Sequence, residues 1–486
     1  MLKRILISIL LLISANYIFA QNEIDALRYT YTTYGGTARY MGMSGAFSAL
    51  GADFSVLSTN PAGIGMFKKS RFVFSASGIS TGSTVNYLGE NTQDDFFGGK
   101  VNNFGLVLNL KSYDEDDYGW RSVAFGVGYN YLRNLSNNVR IEGQNNNSSQ
   151  LDLFMINSDG YHPDELGDIE WMAFDTYATD TISGVEQYTY IHPLFGTYGE
   201  QQNRLLTTKG GIGEYVFSIG GNYDDIIQIG ATFGIQNIRY SSIMTHTETT
   251  DALDFEDFTY IENLETRGTG YNFKFGMIYR PLNFIRAALA FHTPTFYILN
   301  DVYSYSMETN WATPDSDGNT KYNSATDEFE YSYEFYSPFR TVAGLAFVLS
   351  RVGIISFDYE YVNYANAKFR ADDYDFENEN RRILENYGAG HNFRAGAEVR
   401  LAPVYLRGGF SYYGSPTSTS FEADGSISGY SLGIGLKSQN VYIDLAFNHS
   451  ARNQNYLLYE YDLNLNESAR LNLTDDRISF TFGYKF

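Results

Sequence analysis

Six histidines, a scatter of carboxylates and arginines, and no cysteine are the groups with which this 486-residue chain could do chemistry. Haem iron takes a His, Tyr, Met or Cys ligand, and His292 and His391 are the better placed of the six, each near the end of an expected strand. The 42 tyrosines are too many to discriminate anything. Covalent catalysis would need a nucleophile, a base and an orienting acid brought together, and the chain has neither a Gly-x-Ser-x-Gly elbow nor an HExxH pair. Asp315-Ser316-Asp317-Gly318 looks like half of a calcium loop without the later glutamate, so it reads as a plain turn. The expectation is a protein that is not an enzyme and carries no cofactor or metal. Arg280, Arg286, Arg394, Arg400 and Arg407 could each hold a carboxylate, or pair with Glu398 and its neighbours in a salt-bridge network.

The elements that must position these groups are strands. From about residue 70 the chain repeats runs of roughly ten residues that alternate apolar with small or polar. Phe104, Leu106, Leu108 and Leu110 share one face, and Tyr271, Phe273, Phe275, Met277 and Tyr279 another. The last run puts Ile478, Phe480, Phe482, Tyr484 and Phe486 opposite Arg477, Ser479, Thr481, Gly483 and Lys485. Fourteen such strands are expected, near 70–80, 103–112, 120–133, 213–222, 225–240, 268–280, 283–294, 338–350, 352–365, 391–402, 403–413, 428–437, 440–450 and 476–486. Connections alternate between short turns and long polar insertions such as 134–212, 241–267, 295–337 and 366–390. Aromatics at 17% and 46 glycines suit strands that face lipid on one side and water on the other. The fold class expected is all-β, a 14-stranded antiparallel transmembrane β-barrel; a propeller would show a blade repeat, and none is found.

Met1 to Ala20 has the parts of a signal peptide, with Lys3 and Arg4, the apolar run Ile5 to Ile13 and small Ala20 before Gln21. The formal charge of -22 becomes two units more negative without Lys3 and Arg4, which argues against nucleic acid as a partner. The acids crowd into Asp251–Glu265 and Asp372–Glu379, which read as loops. Within 134–212, Pro163 with the acids after it and Leu166, Ile169, Ala173 and Tyr177 on one face predict a helix.

Between signal peptide and barrel lies a segment, 21–69, with its own punctuation. Asp53 can cap a short turn over Phe54 to Thr59, Asn60 can end it in the left-handed conformation, Pro61 forbids continuation, and Gly63 and Gly65 let the backbone bend. Asn60-Pro61-Ala62-Gly63, preceded by Gly45-Ala46 and Ala49 to Asp53 and followed by fourteen strands, resembles the FadL/TodX family of outer-membrane transporters for long-chain fatty acids and aromatic hydrocarbons. Ser337-Pro338-Phe339-Arg340, Asp358 to Tyr364 and Tyr412-Tyr413-Gly414-Ser415-Pro416 look like a Bacteroidetes-type branch of it.

The resemblance implies an N-terminal hatch inside the lumen at 21–69, a barrel over 70–486 with long extracellular loops, and a gating role for Asn60, Pro61, Ala62 and Gly63. It implies residence in the bacterial outer membrane, against lipid and lipopolysaccharide, and passive uptake of a hydrophobic small molecule. A kinked third strand with a lateral exit would involve Gly126 and Gly128, whose other role is packing space against the hatch. Relatives of this branch are sometimes labelled haemin receptors, so a haemin-binding receptor using His292 or His391 is the alternative.

Overall fold

The computed structural model describes residues 23–111, 119–184, 188–251, 254–350, 352–418, 425–459 and 468–486. The signal-peptide expectation, the 112–118 part of the first short turn and Arg351 lie outside them. The described chain is a closed barrel of 14 antiparallel strands. In order these are β1 (Arg71–Tyr87), β2 (Glu90–Lys111), β3 (Trp120–Asn134), β4 (Glu200–Tyr223), β5 (Ile227–Thr249) and β6 (Phe255–Leu282). Then β7 runs as Ile285–His292 continued by Phe296–Trp311, and β8 as Phe329–Tyr336 continued by Arg340–Leu349. The wall closes with β9 (Gly353–Asn363), β10 (Ala389–Leu401), β11 (Val404–Tyr413), β12 (Ile427–Lys437), β13 (Val441–Leu457) and β14 (Ser468–Lys485). β14 pairs back on β1 from Arg71↔Lys485 to Asn86↔Arg470, which removes the free edges.

The alternation has a physical cause visible in the wall. Outward residues such as Phe104, Leu108, Phe125, Phe217, Phe273, Phe275, Phe357 and Phe410 are exposed, while inward Asn103, Glu214, Lys274, Asp358, Glu360, Arg394, Glu398 and Arg407 are buried. This is a soluble protein turned inside out: the greasy face meets the surroundings and the charges meet the interior. Such a wall belongs in a lipid bilayer, where closed ladders leave no backbone group unpaired. No helix among the described residues is long and apolar enough to cross a membrane, which says nothing of strands.

All fourteen strands stand near their expected positions, but many run further on the long-loop side. The stretches expected as insertions at 241–267 and 295–337 are largely strand, continuing β5 through β8 beyond the apolar belt. The acidic segment read as a loop at Asp251–Glu265 contains the start of β6 at Phe255. Once a strand leaves lipid nothing requires one face to be apolar, so its alternation fades while its hydrogen bonds continue. The insertion 134–212 first returns to the wall as Asn137–Asn145, paired with β4. It then forms helix α1 (Gln150–Ser158), capped by Ser149 with Asp152, and α2 (Asp168–Asp175). The single helix expected from Pro163 breaks at Gly167, so Pro163–Glu165 is a separate turn and Tyr177 projects outward instead of sharing a buried face with Ala173.

Candidate functional site

Residues 23–69 pack against inward faces of β2, β3, β4, β5, β6, β12, β13 and β14, and nearly all of them from Ala38 to Gly65 are buried. The wall accommodates them in two ways. Glycines give the segment room: a side-chain carbon on Gly276 would collide with Asn60, and one on Gly230 with Pro61. Polar side chains supply its backbone with partners. Asp358 on β9 accepts from the Phe47 N–H at 3.0 Å, the Ser48 N–H at 2.9 Å and Ser48 Oγ at 2.5 Å. Thr481 accepts from Ala38 N at 2.7 Å, Asn109 donates to Phe67 O at 2.7 Å, and Arg286 to Leu50 O at 2.9 Å. A segment whose helices and 3₁₀ turns are all short has many orphan backbone groups, and these wall residues satisfy several of them.

Asn60 is at the centre of the segment's own geometry. It is extended, at φ -136°, not left-handed as expected, because its work is to start a turn and not to end one. Its Oδ1 accepts from Ala62 N at 3.1 Å, capping the 3₁₀ turn Pro61–Met66, while its Nδ2 donates to Ser48 O at 2.7 Å. Asp53 caps Phe54–Ser58, as its position suggested. The left-handed residues between Ala38 and Phe67 are instead Ser44, Gly45, Gly51 and Ala52, and Gly63 packs directly on Gly51 and Val56.

Gly126 and Gly128 lie in an unbroken stretch of ladder, paired with Val107 and Gly105 on one side and Ser218 and Val216 on the other. They give room to Leu57, Ile64 and Phe54. The register irregularities of β3 fall elsewhere, at Trp120/Ser122 and Tyr131/Arg133. His292 and His391 are on opposite sides of the wall. His292 is buried in the lumen and donates through Nε2 to Thr59 O at 2.7 Å, whereas His391 faces outward, stacked on Tyr359 with Nδ1 2.8 Å from its hydroxyl. They cannot close on one haem iron from two sides.

The strand arginines form the networks considered from sequence. Glu398 gathers Arg39 at 3.2 Å, Arg400 at 3.1 Å and Arg407 at 2.9 Å, and Arg407 reaches Asp444 at 2.7 Å. Arg394 and Arg340 meet Glu360 at 3.4 and 3.0 Å, and Arg280 is 3.8 Å from Asp225. Sequence reasoning missed Lys274, Arg340, Asp358 and Glu360. The signal was present, since Asp358 and Glu360 alternate with outward Phe357, Tyr359 and Tyr361, and a charge on the inner face of such a strand is costly unless it has work to do.

Between the segment and the wall lies a cavity of about 70 Å³, lined among others by Thr30, Ser58, Lys274, Arg340, Glu360 and Arg394. Sites for drug-sized ligands run to about 300–1,000 Å³, so this cavity as it stands is too small for one. No cluster of metal-ligating side chains occurs among the described residues, and Asp315 uses its carboxylate to hold its own turn, accepting from Asp317 N and Asn319 N at 2.8 Å.

No family model and no curated protein sequence matches this chain. Solved structures do. A FadL homologue of Pseudomonas aeruginosa superposes with a TM-score of 0.58 at 12% identity, over 94% of this chain and 100% of that one. The Pseudomonas putida toluene transporter TodX gives 0.52 at 10% identity, over 93% and 99%. The CymD monoaromatic hydrocarbon channel gives 0.50 at 12% identity, over 93% and 98%. At such identities the likeness is one of fold, and it extends across almost the whole chain.

Proposed function

We propose that this chain is an outer-membrane channel of the FadL/TodX type, which admits a hydrophobic small molecule by passive diffusion when residues 23–69 move as a hatch. The observation that carries the reading is the combination of a lipid-facing closed wall with a lumen filled by the chain's own N-terminal segment. An open aqueous porin would not be stoppered, and no catalytic constellation lines the lumen among the described residues.

The cavity's chemistry supports one substrate class. Lys274, Arg340 and Arg394 line it, each paired with a carboxylate of the wall, Glu214 or Glu360, whose place an acidic head could take, together with hydroxyls of Thr30 and Ser58. That lining suits an amphiphile with an acidic head, a long-chain fatty acid, better than a plain hydrocarbon. Each methylene leaving water contributes about 0.8 kcal/mol, so the tail needs only an apolar path, and ligand binding would favour the displaced hatch by binding it more tightly.

The test is uptake of a labelled long-chain fatty acid into liposomes, comparing the native chain with Asn60→Ala plus Pro61→Ala and running haemin in parallel. Uptake that the hatch variant alters and that haemin does not match is the expected outcome. Saturable haemin binding without fatty-acid movement would overturn the reading.

A further inference from the structure

Charges inside a barrel are held by partners of opposite sign, and at the short-turn end of this lumen the two signs do not balance. In outer-membrane barrels the short turns are periplasmic. Inward positions at that end carry Arg71 on β1, Arg286 on β7, Arg400 on β10, Arg407 on β11, Lys437 on β12 and Lys485 on β14, and the N-terminal segment adds Arg39. Among the described residues, the side-chain carboxylates paired with them are Glu398 and Asp444. Glu398 is shared by Arg39, Arg400, Arg407 and, at 3.9 Å, Lys437. Asp53 is spent inside the segment, on Thr37 Oγ1 and Ser55 N.

The remaining cations lean on carbonyls and rings. Arg71 Nη1 donates to Ala52 O at 3.0 Å and Arg286 Nη1 to Leu50 O at 2.9 Å. Arg71 and Lys485 share the Tyr442 ring, 5.3 and 5.6 Å from its centre, and Lys437 lies 4.0 Å from that of Tyr405. Two guanidinium nitrogens, Arg286 Nε and Arg407 Nη2, are buried with no acceptor among the described residues. Arg286, Lys437 and Lys485 all feel the charge of Arg39, so these groups form one cluster. Mutual repulsion and unused N–H groups both cost free energy, and a bound anion relieves both.

The cluster is reachable from solvent, with the side chains of Arg400, Lys437 and Arg39 exposed by 25%, 20% and 13%. It is separate from the cavity described above. Arg286 and Arg400 are six residues nearer the short turns than the cavity residues on the same strands, His292 on β7 and Arg394 on β10. Guanidinium forks beside ammonium groups match the paired oxygens of a carboxylate or a phosphate.

We propose that the periplasmic end of the lumen holds an oxyanion-binding site, formed by Arg39, Arg286, Arg400, Lys437 and Lys485, which takes a carboxylate or phosphate group. The site does not depend on the channel reading. Arg71 and Arg286 hold the carbonyls on either side of Gly51, so an anion that quiets the repulsion around them also fastens that bend of the N-terminal segment to the wall.

The test is calorimetric titration of the purified protein, in a neutral detergent at fixed ionic strength, with inorganic phosphate and separately with hexanoate. Saturable binding of at least one is expected, and which of the two saturates tells phosphate from carboxylate chemistry. Lys437→Gln with Lys485→Gln should weaken it at least tenfold. Arg267→Gln with Lys321→Gln removes the same charge from the outer extensions, where each cation has its own carboxylate, and should leave it unchanged. Saturation by neither anion, or equal weakening by both pairs, overturns the site. A second measurement needs no variant: hydrogen exchange across Leu50–Ala52 of the native chain should slow at least threefold when the saturating anion replaces chloride at equal ionic strength. Equal exchange in phosphate, hexanoate and chloride overturns the proposal.

Discussion

Two bodies of chain cover the two sides of this lumen, and they are attached by different physics. The cap built from the described part of 134–212 rests on the extensions of β5 to β7 through an apolar cluster in which Leu151, Phe154, Met172 and Ala173 meet Met244, Phe258, Tyr260 and Met307. The N-terminal segment is held by hydrogen bonds and ion pairs from Asp358, Thr481, Arg286 and Glu398 and by apolar contacts spread along it, Tyr29 and Tyr31 among Tyr297, Phe335 and Tyr364, and Met43, Phe47 and Leu50 with Ala346 and Ile354. A further apolar contact, Phe54, Leu57 and Ile64 against Val73, Val107 and Val216, lies in the part leading into β1. Apolar burial is lost outright on separation. Hydrogen bonds exchanged for water in a wet lumen cost only about 1 kcal/mol each. The two attachments therefore differ in arrangement: the cap gathers its apolar contact in one cluster, whereas the segment spreads its own over several, with polar anchors between them.

The largest effect should come from hollowing the cap. Phe258→Ala removes a fully buried ring and is expected to cost about 3–5 kcal/mol locally. Hydrogen exchange of α1 and α2 should accelerate while that of Ala38–Met66 does not. Equal acceleration in both would mean that cap and hatch unfold as one unit, and the comparison would fail.

Removing a wall anchor should do the converse. Asp358→Ala leaves the Phe47 and Ser48 N–H groups and Ser48 Oγ without their acceptor, a loss of about 1–3 kcal/mol, and should raise both exchange in the hatch and ion conductance in planar bilayers. Asn60→Ala acts on the hatch alone, deleting a cap and the bond to Ser48 O, for about 1–2 kcal/mol. Conductance unchanged in both variants would show that the hatch is a fixed structural plug.

The same contrast explains what the sequence could reveal. Lipid forces period-two alternation on every residue of the belt, so the fourteen strands and their short turns could be read directly. It stops forcing it above the belt, which is why Phe255–Arg267 and Phe296–Trp311 passed for polar loops. Helix α1 was not expected within the polar insertion 134–212, although Ser149 and Asp152 carry a capping-box signature. Asn60 was correctly singled out but given the wrong conformation, since an Asn before Pro can close one turn or open the next, and only the contact with Ser48 decides. Pro294 and Pro338 were available as a signal of the interruptions in β7 and β8, because proline inside a strand marks one; that they face each other depends on register, which alternation alone does not supply.

The smallest expected effect separates the two bodies by pH. In the extension of β5 above the belt, burial raises the Glu248 carboxyl above its ordinary range. It accepts from Gln150 N at 2.9 Å, Gln202 Nε2 at 2.8 Å and Ser149 Oγ, and Oε1 lies 2.9 Å from His246 Nε2. Glu200 is raised likewise, by burial and by Glu248. His246 is pushed well down by burial and by Arg204, so it stays neutral. For the carboxyls, the folded cap holds protons that the unfolded chain releases, so their stabilisation is complete below the ordinary carboxyl pKa and is lost as pH rises through the raised one. The depressed histidine works the other way: its share is present above the ordinary imidazole pKa of about 6.5 and is lost on acidification. Between the two ordinary values the contributions oppose each other, but above about 6.5 only the carboxyls still titrate. Raising pH from about 6.5 to about 8.5 should therefore loosen the cap, on the order of 1 kcal/mol, and Glu248→Gln should flatten much of that slope. Hydrogen exchange of α1, corrected for the intrinsic rate, measures it. A cap that tightened over this interval would mean that Glu248 is ionised and paired in the folded cap.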